Sequence, residues 1–226
     1  MKWLLPLFLS PMLFAADLQG VQVQGSCEMK VIPDRGSVSF TAENQSKDQQ
    51  EAIKKTNAQI NELKEKIQKL KLEDIEFKTT NYFVHPVREY EKERYVDKGT
   101  KVSMTMEITT SEISRLGEAM LEASKIRIQS VGQMMTFLSL EKSQSEYLKC
   151  LDIAALDAKK KADQLAKKLG FKVGEIKNLI ESPSQTSTPV PIFAKSMNSL
   201  HGAETAPIEA GTQNFSTSIQ VTFEIK

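Results

Sequence analysis

Val21, Val23, Gly25, Cys27, Met29 and Val31 alternate with Gln22, Gln24, Ser26, Glu28 and Lys30, the period of two expected of a strand with one buried face. Pro33 and Asp34 turn the chain, and Val38, Phe40 and Ala42 then alternate with Ser37, Ser39 and Thr41, so a hairpin of two strands is expected. Ser46 and Gln49 read as the cap of a long helix ending near Leu70, with Ile53, Ile60, Leu63, Ile67 and Leu70 inward. Ile75, Phe77, Thr79 and Phe83 mark a third strand, and Val102, Met104, Met106 and Ile108 a fourth. The charged connection 89–98 between them predicts a long hairpin projecting from the body. A short helix from Ser111, carrying Ile113, Leu116 and Met120, precedes a strand over 126–140, bulged near Gly132.

An alanine-striped helix follows. Tyr147, Leu151, Ala154, Ala158, Ala162, Leu165 and Leu169 recur at helical spacing, with Ser143 and Glu146 as a capping box and Gly170 as the stop. Small side chains on that face let the helix lie close on a sheet. A strand over 173–181 comes next, and then 182–214, rich in Ser, Thr, Pro, Ala and Gly. A loop that long is either functional or disordered. Phe215, Thr217, Ile219, Val221, Phe223 and Ile225 form one face of the last strand. Hairpins separated by helices predict an α+β fold of antiparallel sheets with helices on one face, and the strand-helix-strand units suggest an internal duplication.

Residues 1–16 give one lysine, a short apolar run and small residues at its end, the pattern of a secretory signal peptide cleaved near Ala15 or Ala16. No cysteine follows the run, which argues against a lipid anchor, and no later segment reads as a transmembrane span. The mature chain, 17–226, is therefore expected to be one exported domain in the periplasm or cell envelope. A net charge of +1 over 226 residues gives no drive towards nucleic acid. The lysine-rich outer side of the alanine helix is interrupted by Asp152, Asp157 and Asp163 and reads as a solvated surface.

The opening strand with Gly25 and then Pro33-Asp34, the segment holding Thr79, Tyr82, Pro86 and Tyr90, the helix and turn 155–176, and Pro207-Ile208-Glu209-Ala210-Gly211 before the last strand occur in this order. In that arrangement the chain resembles the SIMPL-domain family, exported proteins that include bacterial periplasmic immunogenic and oxidative-stress-defence proteins. Cys27 stands where the family often has a second glycine, and no Gly-Tyr precedes the fourth strand near Gly99. The resemblance implies an α+β fold, a periplasmic location, ring-like homo-oligomers and a link to oxidative or envelope stress. It implies no catalytic residue, cofactor or metal.

The residues themselves add few chemical candidates. Met104 and Met106, with Met134 and Met135, fall on apolar strand faces and read as core filling, or as an oxidation sink. Cys27 and Cys150 both point inward, which leaves a disulfide and a pair of buried thiols as alternatives. His85 and His201 fall in expected loops with no orienting motif. On the projecting connection, Tyr82, Phe83, Tyr90 and Tyr95 supply aromatic anchors, and Arg88 and Arg94 supply charge, for a contact between subunits. The first functional reading is a non-enzymatic homo-oligomeric envelope assembly. The alternative is an interaction module that binds an envelope protein through this hairpin or the 182–214 loop.

Overall fold

A computed structural model describes residues 20–185, 190–191 and 210–226. The expected signal segment lies outside the described residues, as do His201 and most of the expected loop. In chain order the elements are β1 (Val21–Val31), β2 (Arg35–Ser46), α1 (Gln49–Lys69), β3 (Glu76–Glu91), β4 (Arg94–Thr110), a 3-10 turn (Ile113–Arg115), α2 (Leu116–Ser124), β5 (Ser130–Val131), β6 (Met135–Phe137), α3 (Leu140–Leu169), β7 (Val173–Gln185), β8 (Val190–Pro191) and β9 (Gln213–Ile225). This is an α+β architecture of antiparallel sheets and helices. The described contacts divide into two compact units.

The larger unit, Glu28–Cys150 with Ser184–Ser216, holds a six-stranded sheet in the order β3-β4-β2-β6-β8, with β5 also on β2. Val38, Phe40 and Ala42 of β2 stand opposite Ile108, Met106 and Met104 of β4. Ile60, Leu63 and Ile67 of α1 and Leu116, Ala119 and Ala123 of α2 close over that face as one buried cluster. Each large aliphatic side chain fully buried there contributes roughly 1.5–3 kcal/mol. Met106 and Met134 belong to this cluster and Met104 packs against it, which is the core-filling role read from their pattern.

Three local expectations are corrected here. The cap of α1 is Asp48, whose carboxylate accepts the Gln50 N–H at 2.9 Å. Ser46 is still in β2, opposite Thr100, and its hydroxyl accepts the Asp48 N–H at 3.2 Å. The segment 126–140 is not one strand. After β5 the Gly132 N–H turns to the Ser39 carbonyl at 2.7 Å, only Met135–Phe137 resumes pairing, and Leu140 already opens α3. Ser139, rather than Ser143, caps that helix: its hydroxyl accepts the Lys142 N–H at 3.2 Å.

The β1–β2 hairpin is the fourth correction. β1 lies beside β9, whereas β2 pairs with β4, β5 and β6. The turn residue Asp34 is engaged elsewhere, its carboxylate accepting the Ser139 N–H at 2.8 Å and the Ser139 hydroxyl at 2.6 Å. The break between the strands falls at 32–34 as expected, but the strand's partner is set by non-local pairing.

The smaller unit, residues to Cys27 with Leu151–Pro183 and Thr217–Lys226, is built around the sheet β1-β9-β7. Ala154, Ala158, Ala162 and Ala166 form the buried stripe of α3, while Leu165 is exposed and Leu169 is 72% exposed. A repeat of four drifts about 40° per step on a helix of 3.6 residues per turn, so the buried line ends on Ala166 instead of the expected leucines. Gly25 permits the close approach: a Cβ there would lie 2.0 Å from the Ala154 carbonyl oxygen and 2.8 Å from the Ala158 methyl. Beside it, the Asp157 carboxylate accepts the Ser26 N–H at 3.0 Å and Lys161 donates to the Gln24 carbonyl at 2.9 Å. Lys161 also pairs with Asp157 at 2.6 Å. On β9, Ile225 is exposed rather than part of the buried face.

Candidate functional site

The strands of the long hairpin continue further than the charge pattern indicates, and the connection shrinks to Lys92 and Glu93 between the pair Glu91 and Arg94. Both turn residues have positive φ, 46° and 61°, as a mirror-image two-residue turn requires. Neither is Asn, Asp or Gly, which is why the sequence carries no turn signal there.

β2 ends its pairing at Ser46 opposite Thr100, so beyond Gly99 the hairpin continues, among the described residues, as a ribbon of β3 and β4 alone. A bulge marks that point: Val87 pairs with Gly99 and Arg88 with Asp97, leaving Lys98 outside the ladder. Gly99 has φ of 94°, and a Cβ there would lie 2.2 Å from the Ser46 carbonyl oxygen. Its N–H bonds to the Asp97 carboxylate at 2.7 Å, and the Lys98 carbonyl accepts from Gln45 at 2.9 Å. The Lys98 ammonium reaches Glu91 at 2.6 Å and Glu89 at 3.5 Å. The hydrogen bond with Lys98 holds the Glu91 carboxyl below its usual range and, reciprocally, raises the Lys98 ammonium. These groups are solvent-exposed, so their bonds position the ribbon more than they stabilise the fold.

Tyr90 and Tyr95 stand opposite each other with ring centroids 5.2 Å apart in an edge-to-face arrangement, 65% and 74% exposed. Strand alternation from the paired positions puts Arg88 on their face, with Tyr82 further along it. Phe83 and Arg94 fall on the opposite face, Arg94 beside Glu91. The six residues singled out from sequence therefore divide into two faces. Tyr82 and Phe83 are also exposed. A two-stranded ribbon is marginal by itself in water, and this one exposes its largest rings, which gives it the chemistry of a contact surface. Lys98, the organiser of the bulge, lacked any sequence signal because a bulge shows only in the register.

The other candidates lie elsewhere. Cys27 and Cys150 are both disulfide-bonded and neither is a free thiol. His85 sits on β3 opposite Lys101, not in a loop. Among the described residues no cluster of His, Cys, Asp or Glu has the arrangement of a metal site. No helix among them is long and apolar enough to cross a membrane.

Residues 21–223 match the family model of SIMPL, described as a protein of unknown function (DUF541). The chain is 23% identical over 214 residues to the 26 kDa periplasmic immunogenic protein of Brucella melitensis biotype 1, covering 91% of this chain and 84% of that protein. The protein of the same description from Brucella abortus strain S19 matches to the same extent. The family match spans nearly all the described strands and helices, from β1 into β9. The chain belongs to the SIMPL family.

Proposed function

We propose that this protein is exported to the periplasm or cell envelope and acts there, without catalysis, as a homo-oligomeric assembly serving envelope or oxidative-stress protection. Family membership and the periplasmic description of the Brucella relatives support the location. The observation that carries assembly is the exposed Tyr90–Tyr95 pair on a ribbon beyond the last β2 pairing. Rings of this kind bury much area at little entropic cost and dominate contacts, whereas the surrounding charges set orientation. Arg88 adds a planar donor for a carboxylate on a neighbouring subunit.

Light scattering on the mature chain tests the reading. A high-order oligomer is expected, and Tyr90→Ala with Tyr95→Ala is expected to dissociate the contact while leaving the subunit's circular dichroism and melting unchanged. A wild-type monomer across micromolar concentrations refutes assembly and favours an interaction module for another envelope protein. Sensitivity of a deletion strain to peroxide tests the stress role independently.

A further inference from the structure

Exposed sheet edges present unpaired N–H and C=O groups, and folded proteins usually close them. The outer edge of β1 is obstructed at its middle, where Lys161 takes the Gln24 carbonyl and Asp157 takes the Ser26 N–H. The outer edge of β3 is broken by the bulge between Thr79 and Asn81 and by Pro86. β8 has two residues. β7 is different. It stands at the end of its sheet, residues 175–182 are all exposed, and Ile176, Leu179 and Ile180 keep 57%, 53% and 50% of their surface in solvent. No proline occurs in it before Pro183, and among the described residues no strand lies on its outer side.

The direction of its free groups follows from the ladder. Lys172 and Lys226 exchange both main-chain bonds, each at 2.8 Å. Alternation then points Ile176 and Asn178 towards β9, and the N–H and C=O of Val173, Glu175, Lys177 and Leu179 outward. We propose that this edge pairs antiparallel with β7 of a second copy of the chain, about a two-fold axis at Ile176.

Charge selects the register. Centred on Ile176, Glu175 faces the second copy's Lys177 twice, Val173 faces Leu179 twice, and Ile176 meets itself. Centring on Lys177 or Glu175 opposes like charges across the axis, and centring on Asn178 sets Glu175 against Glu181. Centring on Leu179 brings Pro183, which has no N–H, onto a donor position. Glu175 and Lys177 form no ion pair within the subunit among the described residues, so both are available. Two-fold pairing of identical edges is an isologous contact that closes on itself. It rests on the homo-oligomer reading and adds a contact separate from the tyrosine ribbon.

Sedimentation of the mature chain at micromolar concentration tests it. Lys177→Pro removes an outward N–H without touching the bonds to β9, and is expected to halve the mass of the assembling unit. Glu175→Lys turns two attractions into two repulsions and is expected to weaken association by about 10-fold or more. Glu175→Lys with Lys177→Glu restores opposite charges and should restore the wild-type mass. If Lys177→Pro disturbs folding, the surface charge pair alone decides. A mass unchanged by Glu175→Lys, or not recovered in the double exchange, overturns the proposal and leaves the edge to another part of this chain or another protein. An oligomer insensitive to the tyrosine changes yet sensitive to Glu175→Lys refutes only the ribbon contact, and the converse refutes only this one.

Discussion

Gly25→Ala is expected to be among the most damaging single-methyl additions in the chain. The new Cβ would stand 2.0 Å from the Ala154 carbonyl oxygen and 2.9 Å from the Ala158 nitrogen. Carbon and oxygen tolerate about 3.3 Å, so the helix must retreat by about 1.3 Å. Both atoms are backbone, and no rotamer change relieves them. A gap of that size forfeits a quarter to a half of the contact attraction along the alanine stripe. With an overpacking cost of about 1–3 kcal/mol, the total reaches about 3 kcal/mol. For a chain of this size class that lowers Tm by roughly 6–12 °C. Gly170→Ala is the control: its φ is 79°, but no atom lies within 4 Å of the added Cβ, so only the left-handed backbone penalty of about 1 kcal/mol applies. Ala158→Gly should not rescue Gly25→Ala, because the Ala154 oxygen remains. Thermal melts of the three variants check this, and equal losses from Gly25→Ala and Gly170→Ala would refute the close-packing argument.

Two further outcomes are expected. Lys92→Asn with Glu93→Gly supplies the residues that a turn with positive φ at both positions prefers, and should stabilise the ribbon by about 1 kcal/mol, read as slower amide exchange at Tyr90 and Tyr95; faster exchange would contradict the turn assignment. Asp34 titrates below the usual aspartate value of 3.8: burial pushes its carboxyl up, but the Ser139 hydroxyl and N–H bonds with the Lys142 charge together outweigh it. Its contribution to stability is thus complete above pH 3.8 and is lost as pH falls through the lower folded value. Asp34→Asn should therefore reduce Tm near neutrality, with the gap from wild type narrowing as pH falls below about 4; a constant gap would exclude the carboxylate as its source.

Sequence periodicity located most of the strands and all of the longer helices, because amphipathic alternation at Val21–Val31 or on α1 is a local property. Pairing is not local. Nothing in Pro33-Asp34 shows that Asp34 is committed to Ser139, so the hairpin reading of β1 and β2 failed there. Helix starts shifted for a related reason: Asp48 and Ser139 compete with the serines nearby, and only the geometry selects among acceptors of equal strength. At the candidate site the aromatic residues were legible as residue types. Which of them share a face across the two strands was not, because that depends on the pairing set by the Lys92-Glu93 turn, which carries no turn residue.

The hold of Lys161 and Asp157 on β1 bears on chains at high local concentration. A sheet open on both sides adds copies without limit, each newcomer offering the next its free side. In the pairing proposed for β7, the α3 side chains that hold Gln24 and Ser26 oppose addition at the β1 margin, and both are charged. The hydrogen bond from Lys161, aided by the Ser26 N–H, keeps the Asp157 carboxyl below its ordinary range. Protonation of Asp157 would loosen its hold on the Ser26 N–H and on Lys161, and with it the block on that margin.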